Sequence, residues 1–179
     1  LTDTAVAGQY ANLATVTADP PVGAPLEASD ASHHFGVDLG LAVEKRTNGF
    51  TGWPAPGPEI LSGSPITWTY VVENLSNVGV SDIVVIDTPE GEIGCPGTTL
   101  AAGTAMTCTA HGVAGDVPYA NSVLVTATPD FGPEQSAEGS SGFLGAAPDL
   151  AATLALSIDG GASWRAADAV PGPAVLSGT

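Results

Sequence analysis

Lys45, Asp87 and Asn121 are the residues of this chain whose types and phases could do chemistry together. Lys45 shares strand parity with Leu39, Leu41 and Val43, Asp87 with Ile83 and Val85, and Asn121 with Tyr119, Val123 and Val125. If each apolar set faces a core, an amine, a carboxyl and an amide point inward from three strands. A lone charge there is costly, because its desolvation is offset only by pairing or neutralisation. A lysine desolvated among apolar neighbours has its pKa lowered, which makes a neutral amine available as a nucleophile. It would attack the Asn121 side-chain amide while protonated Asp87 polarises the carbonyl and shuttles the proton. Ammonia leaves, and an intramolecular isopeptide bond remains. Glu73 is a second candidate for the acid, but its parity is opposite to that of Trp68 and Tyr70. The competing reading is a buried Lys45–Asp87 salt bridge with Asn121 bonded to backbone, or a lysine that snorkels to the edge of the fold.

Other groups carry less. Cys95 and Cys108 sit in "CPGTTLAAGTAMTC", where "AAG" reads as a turn between two short strands. A disulfide across that turn would contribute on the order of 3 kcal/mol in the chain-entropy model and points to an oxidising, extracytoplasmic site. Two buried free thiols are the alternative, and the spacing fits no zinc pattern. Glu27, Asp30 and Asp38 in and after "EASDASHHFG" are oxygen donors that could hold Ca²⁺. Against this, no EF-hand loop is present and "SAEGSSGFLG" keeps only Glu138, which suits a hydrated acidic linker. Adjacent His33 and His34 would point to opposite faces of an extended chain, and His111 reads as a solvated loop residue. Phe50 and Trp53, in the Pro-rich "TNGFTGWPAPGPE", could stack on a glycan or a protein; Trp53 recurring as Trp164 favours packing instead. There is no G-x-S-x-G, no H-E-x-x-H and no phosphate loop, so the chain reads as a non-enzyme.

The elements that must position these groups repeat within the chain. Gly8–Gly36 aligns without a gap on Val117–Gly145 at an offset of 109, placing Tyr10 on Tyr119, Asn12 on Asn121, Val16 on Val125 and Gly23 on Gly132. Asp38–Trp53 aligns on Asp149–Trp164, with Leu156 where the first copy has Lys45. Self-similarity of this kind marks a tandem array. The chain then divides into the tail of one unit (1–36), one complete unit (37–145) and the head of a third (146–179). Tail and head lack the middle strands, so they are expected to be disordered or to pack on neighbouring units. Within the complete unit, period-two alternation predicts strands at 38–46, 66–73, 81–87, 98–101, 104–110 and 118–128, and a weaker one at 134–144. Six or seven short strands with turns between them predict an all-β, antiparallel, immunoglobulin-like or prealbumin-like sandwich.

The run "ITWTYVVENLSNVGVSDIVVIDTP", followed by "CPGTTLAAGTAMTCTA" and "YANSVLVTAT", resembles the DUF11/DUF7507 class of tandem repeats of bacterial and archaeal surface proteins. The resemblance implies an extracellular stalk, fibre or adhesin module without activity on a small substrate. The partners it implies are neighbouring repeats. A glycan- or protein-binding adhesin module, or a filament subunit completed by strand addition, are the alternatives. Three basic residues against 19 acids, a net charge of −16, argue against nucleic acid and anionic membranes as partners. No apolar run reaches the roughly 18–20 residues of a membrane helix, and no signal-like segment opens the sequence, which reads as a mature or excised segment. The 44% hydrophobic content, arranged in clear alternation, argues for a folded chain despite its acidity.

Overall fold

The computed structural model describes residues 4–51, 57–157, 159–166 and 174, and forms two compact units, Leu1–Ala146 and Ala147–Thr179. In chain order the strands are β1 (Gly8–Ala18), β2 (Leu26–Gly36), β3 (Leu41–Thr47), β4 (Phe50–Thr51), β5 (Glu59–Leu61), β6 (Pro65–Asn74) and β7 (Val80–Thr88). They continue with β8 (Gly91–Glu92), β9 (Ala105–Val113), β10 (Pro118–Pro129), β11 (Gln135–Ala146), β12 (Ala155–Leu156) and β13 (Arg165–Ala166). No helix occurs among the described residues. The all-β expectation holds.

Two sheets build the central part: a four-stranded sheet ordered β4-β3-β6-β9 and a five-stranded sheet ordered β5-β11-β10-β7-β8. Their inward side chains form one core. Ile66, Trp68, Tyr70 and Val72 come from β6, Val80, Ile83 and Val85 from β7, and Val123, Val125 and Ala127 from β10. Alternation causes this, since successive side chains of a strand take opposite faces; in β7 a bulge at Asp82, whose φ is 51°, brings Val80 and Ile83, three residues apart, to the same side. Each fully buried Val or Ile contributes about 1.5–3 kcal/mol of apolar transfer. The long strands lie where the alternation predicts them.

Three expectations change. Residues 98–101 form no strand of their own; Leu100 makes an isolated bridge to Val80, because the Gly- and Thr-rich segment lacks a continuous apolar face. β5 pairs parallel to β11, so the larger sheet is not wholly antiparallel. The weaker strand at 134–144 is the twelve-residue β11, whose small residues accommodate close neighbours: a Cβ on Gly139 would come within 3.3 Å of Val43 O and Val123 Cγ1.

The tail residues are ordered as a ribbon. β1 and β2 pair over their full length, with Tyr10 opposite His34 and Asn12 opposite Ser32. β10 and β11 pair in the same register after the offset of 109, with Tyr119 opposite Phe143 and Asn121 opposite Ser141. Both turns contain a glycine at strongly positive φ, Gly23 at 110° and Gly132 at 112°, a conformation that L side chains rarely adopt. The rings follow suit, Tyr10 stacking on His34 at 4.7 Å and Tyr119 on Phe143 at 5.0 Å. The environments differ: β2 is exposed up to Gly36, whereas β10 alternates between buried and exposed.

Candidate site at the buried lysine, aspartate and asparagine

Lys45 lies on β3 of the four-stranded sheet, directly opposite Tyr70 of β6. Asp87 lies on β7 of the five-stranded sheet, opposite Val123 of β10, and Asn121 stands two residues before Val123 on the same face. Facing sheets thus bring together an amine, a carboxyl and an amide that are 2%, 1% and 5% exposed. The inward phase read from alternation is correct for all three.

Asp87 is the hub. Its Oδ2 is ion-paired with Lys45 Nζ and also accepts the Tyr70 hydroxyl proton. Its Oδ1 accepts a hydrogen bond from Asn121 Nδ2 at 2.8 Å. One carboxylate therefore touches the two nitrogens that an isopeptide reaction would exchange. Asn121 Nδ2 also lies 3.3 Å from the Tyr119 hydroxyl, which donates its proton to Glu90 Oε1. Asn121 Oδ1 is buried and has no hydrogen-bond partner. Next to the cluster, the Thr47 and Ser141 hydroxyls are 2.8 Å apart and pair with each other.

Desolvation pushes the Lys45 pKa below its usual 10.5, while the hydrogen bond and charge of Asp87, and then the charge of Glu90, pull it back upward. The net direction is down, toward the neutral amine that nucleophilic attack needs. Desolvation first, and then the hydrogen bond to Asp87, raise the Tyr70 pKa and keep it a neutral donor. Tyr119 is raised for the same first reason and by its bond to Glu90. The Lys45 ammonium also sits 5.1 Å from the centre of the Tyr70 ring, where the face of the π system attracts a cation.

The arrangement differs from the expected one in two respects. Asp87 faces the nitrogen of the Asn121 amide and not its carbonyl oxygen. The amide bonds to side chains and not to backbone. Tyr70, Tyr119 and Glu90 are the members that sequence reasoning missed. For the tyrosines the signal was present, since Tyr70 belongs to the inward set of β6 and Tyr119 precedes Asn121 by two.

The other candidates do not join this cluster. Glu73 is exposed, as its parity requires. Glu27 and Asp30 are exposed on β2 at positions of opposite parity, and Asp38 is exposed beyond its end. Among the described residues no group of three or more His, Cys, Asp or Glu side chains is placed to hold a metal. Phe50 is 61% exposed on β4, and Trp53 lies outside the described residues. His111 is an exposed residue within β9, not in a loop, with Nδ1 3.2 Å from the Thr67 hydroxyl. Cys95 and Cys108 are joined with an S–S distance of 2.02 Å. Because residues 98–101 form no strand, this disulfide does not span a hairpin; it ties the segment after β8 to the buried position 108 of β9.

No family model matches the chain, and no curated protein matches it.

Proposed function

We propose that this chain is a structural module of an extracellular stalk, fibre or adhesin. In this reading it is an immunoglobulin-like β-sandwich repeat, locked internally by a Lys45–Asn121 isopeptide bond and the Cys95–Cys108 disulfide. The observation that carries the reading is the Asp87 carboxylate, buried between the sheets with one oxygen on Lys45 and the other on Asn121 Nδ2. Support for a repeat comes from the ribbon of β1 and β2, which has the register and turn glycine of β10 and β11. A disulfide and a strongly acidic surface suit an oxidising exterior.

The reaction balances within the cluster. Lys45 passes one proton to Asp87 Oδ2 and attacks Cγ of Asn121 as a neutral amine. Nζ bonds to Cγ and the C–Oδ1 electrons move onto oxygen. The Asp87 carboxyl turns about Cβ–Cγ, so that Oδ2 delivers this proton to Nδ2 while Oδ1, now beside Nζ, takes the next one from it. The Cγ–Nδ2 bond breaks, ammonia leaves, and the amide carbonyl re-forms with Asp87 protonated. A covalent link from β3 of one sheet to β10 of the other would resist force that separates the sheets. No step needs a cofactor or a second substrate.

Intact mass under non-reducing conditions tests this. The expected mass, after allowing for two hydrogens lost to the disulfide, is short by one ammonia, and the shortfall disappears in Lys45→Met and in Asn121→Ala. An unmodified mass in the native chain would leave only a buried ion pair and end the crosslink reading.

A further inference from the structure

A primary amide has two ends of similar shape and opposite hydrogen-bonding character, so something must decide which end faces Asp87. The carboxylate alone prefers the N–H end while it is charged. Once it takes the lysine proton it becomes a donor as well, and the carbonyl end fits equally. A second group is needed to keep the amide from turning over during the reaction.

Tyr119 occupies that position. Its hydroxyl carries one proton, and that proton is committed to Glu90 Oε1. What it presents to Asn121, 3.3 Å away, is therefore a lone pair, which accepts from Nδ2 and repels Oδ1. The ring that carries this hydroxyl is fixed by stacking on Phe143 at 5.0 Å and by a tilted contact with Trp68 at 5.8 Å. Nδ2 thus has two acceptors, Asp87 Oδ1 and Tyr119 Oη, while the unpartnered Oδ1 is left to take up the developing negative charge.

We propose that Tyr119, held by Glu90, is a positioning residue for the leaving group: it orients the Asn121 amide with nitrogen toward Asp87 and accepts a hydrogen bond from that nitrogen as ammonia departs. The proposal rests on the crosslink reading above. It adds a residue pair outside the lysine, aspartate and asparagine, and gives Glu90 a task that no strand pairing or core contact requires.

The test is a time course of ammonia loss, read by intact mass, on chain made by chemical synthesis, kept in denaturant so that it has not yet reacted and then allowed to fold, with folding followed in parallel by near-ultraviolet circular dichroism. Tyr119→Phe keeps the ring and removes the acceptor; it is expected to slow ammonia loss by about tenfold, the effect of one hydrogen bond in the transition state. Glu90→Ala frees the hydroxyl proton to turn toward Asn121 and is expected to slow the loss similarly. Glu90→Gln still offers an oxygen to that proton and is expected to stay near the native rate. Folding rates should be unchanged in all three. Ammonia loss at the native rate in Tyr119→Phe, or a delay matched by equally delayed folding, overturns the positioning role alone. Absence of ammonia loss in the native chain sinks the crosslink and this proposal together.

Discussion

Two buried asparagines, Asn74 and Asn121, both take the inward phase of a strand, and their surroundings have little in common. Asn74 ends β6 and is fully buried. Its Nδ2 donates to the carbonyls of Val78, Leu100 and Ala101 at 2.8, 3.3 and 3.1 Å, and its Oδ1 accepts from the Ser76 N–H at 3.0 Å. All of these partners are backbone groups that cannot titrate, and both ends of the amide are used. Asn121 bonds only through nitrogen, and only to Asp87 and Tyr119, which can titrate. Buried polar groups are almost always satisfied, so the orphaned Asn121 oxygen asks for a reason that Asn74 does not. The first amide holds a loop in place; the second is the one that, in the proposed crosslink, exchanges its nitrogen.

The comparison breaks most visibly at Asn74. Asn74→Ala withdraws four hydrogen bonds from the turn after β6 and empties a buried site. The expected cost is about 3 kcal/mol in chemical denaturation, with the disulfide intact and the ammonia shortfall unchanged. If Asn74→Ala instead removed the ammonia shortfall, the division between a structural and a reactive amide would be wrong.

How far this division could be read in advance depends on which physical signal carries each part. Parity placed Lys45, Asp87 and Asn121 inside, because a strand has a period of two and its apolar residues leave no doubt about the buried face. It also gave the long strands, while the ungapped internal alignment at an offset of 109 gave the register that the ribbon shares with β10 and β11. Parity cannot give the position of one atom relative to another. Whether Asp87 would meet the nitrogen or the oxygen of the amide depends on how the two sheets are set against each other and on where Tyr119 sends its proton. Glu90 was invisible for a different reason: it follows the end of β7 in an exposed turn, where no periodic pattern marks a residue. β5 escaped because three residues in a Pro- and Gly-rich stretch give too short a pattern, and the absence of a strand at 98–101 reflects a tertiary bridge replacing a ladder.

A smaller effect sharpens the contrast between a crosslinked and a free lysine. In Asn121→Ala the Lys45 amine remains ionisable, and its folded pKa lies below the ordinary lysine value of 10.5 because burial disfavours the cation. Between the folded and the unfolded pKa the unfolded chain binds more protons, so unfolding free energy rises with pH across that window. In the crosslinked native chain the same nitrogen is an amide in both states and contributes no slope. Tyr70 and Tyr119, raised in the folded state, act in the opposite direction from pH about 10 upward in both proteins. Subtracting the two denaturation profiles removes their shared part. The expected difference is a stability of Asn121→Ala that climbs relative to native as pH approaches 10.5 from below; parallel profiles would mean that Lys45 carries an ionisable amine in both.

The least effect is expected at Asn12, the residue that shares the sequence phase and pairing register of Asn121 but not its burial. Asn12 stands opposite Ser32 as Asn121 stands opposite Ser141, but it is exposed on a ribbon whose Tyr10, Leu13 and Val16 are also open to solvent. Without a buried amine beside it, an amide has neither a nucleophile nor a desolvated acid, and water competes for both of its ends. Asn12→Ala is therefore expected to change stability by no more than about 0.5 kcal/mol, as for a surface substitution, and to leave the ammonia shortfall at one per chain. Intact mass and a melting curve on this variant decide the matter directly. A shortfall that vanished with Asn12 and persisted without Asn121 would place the reactive amide on the ribbon, and burial by the facing sheet would no longer be what separates the two copies.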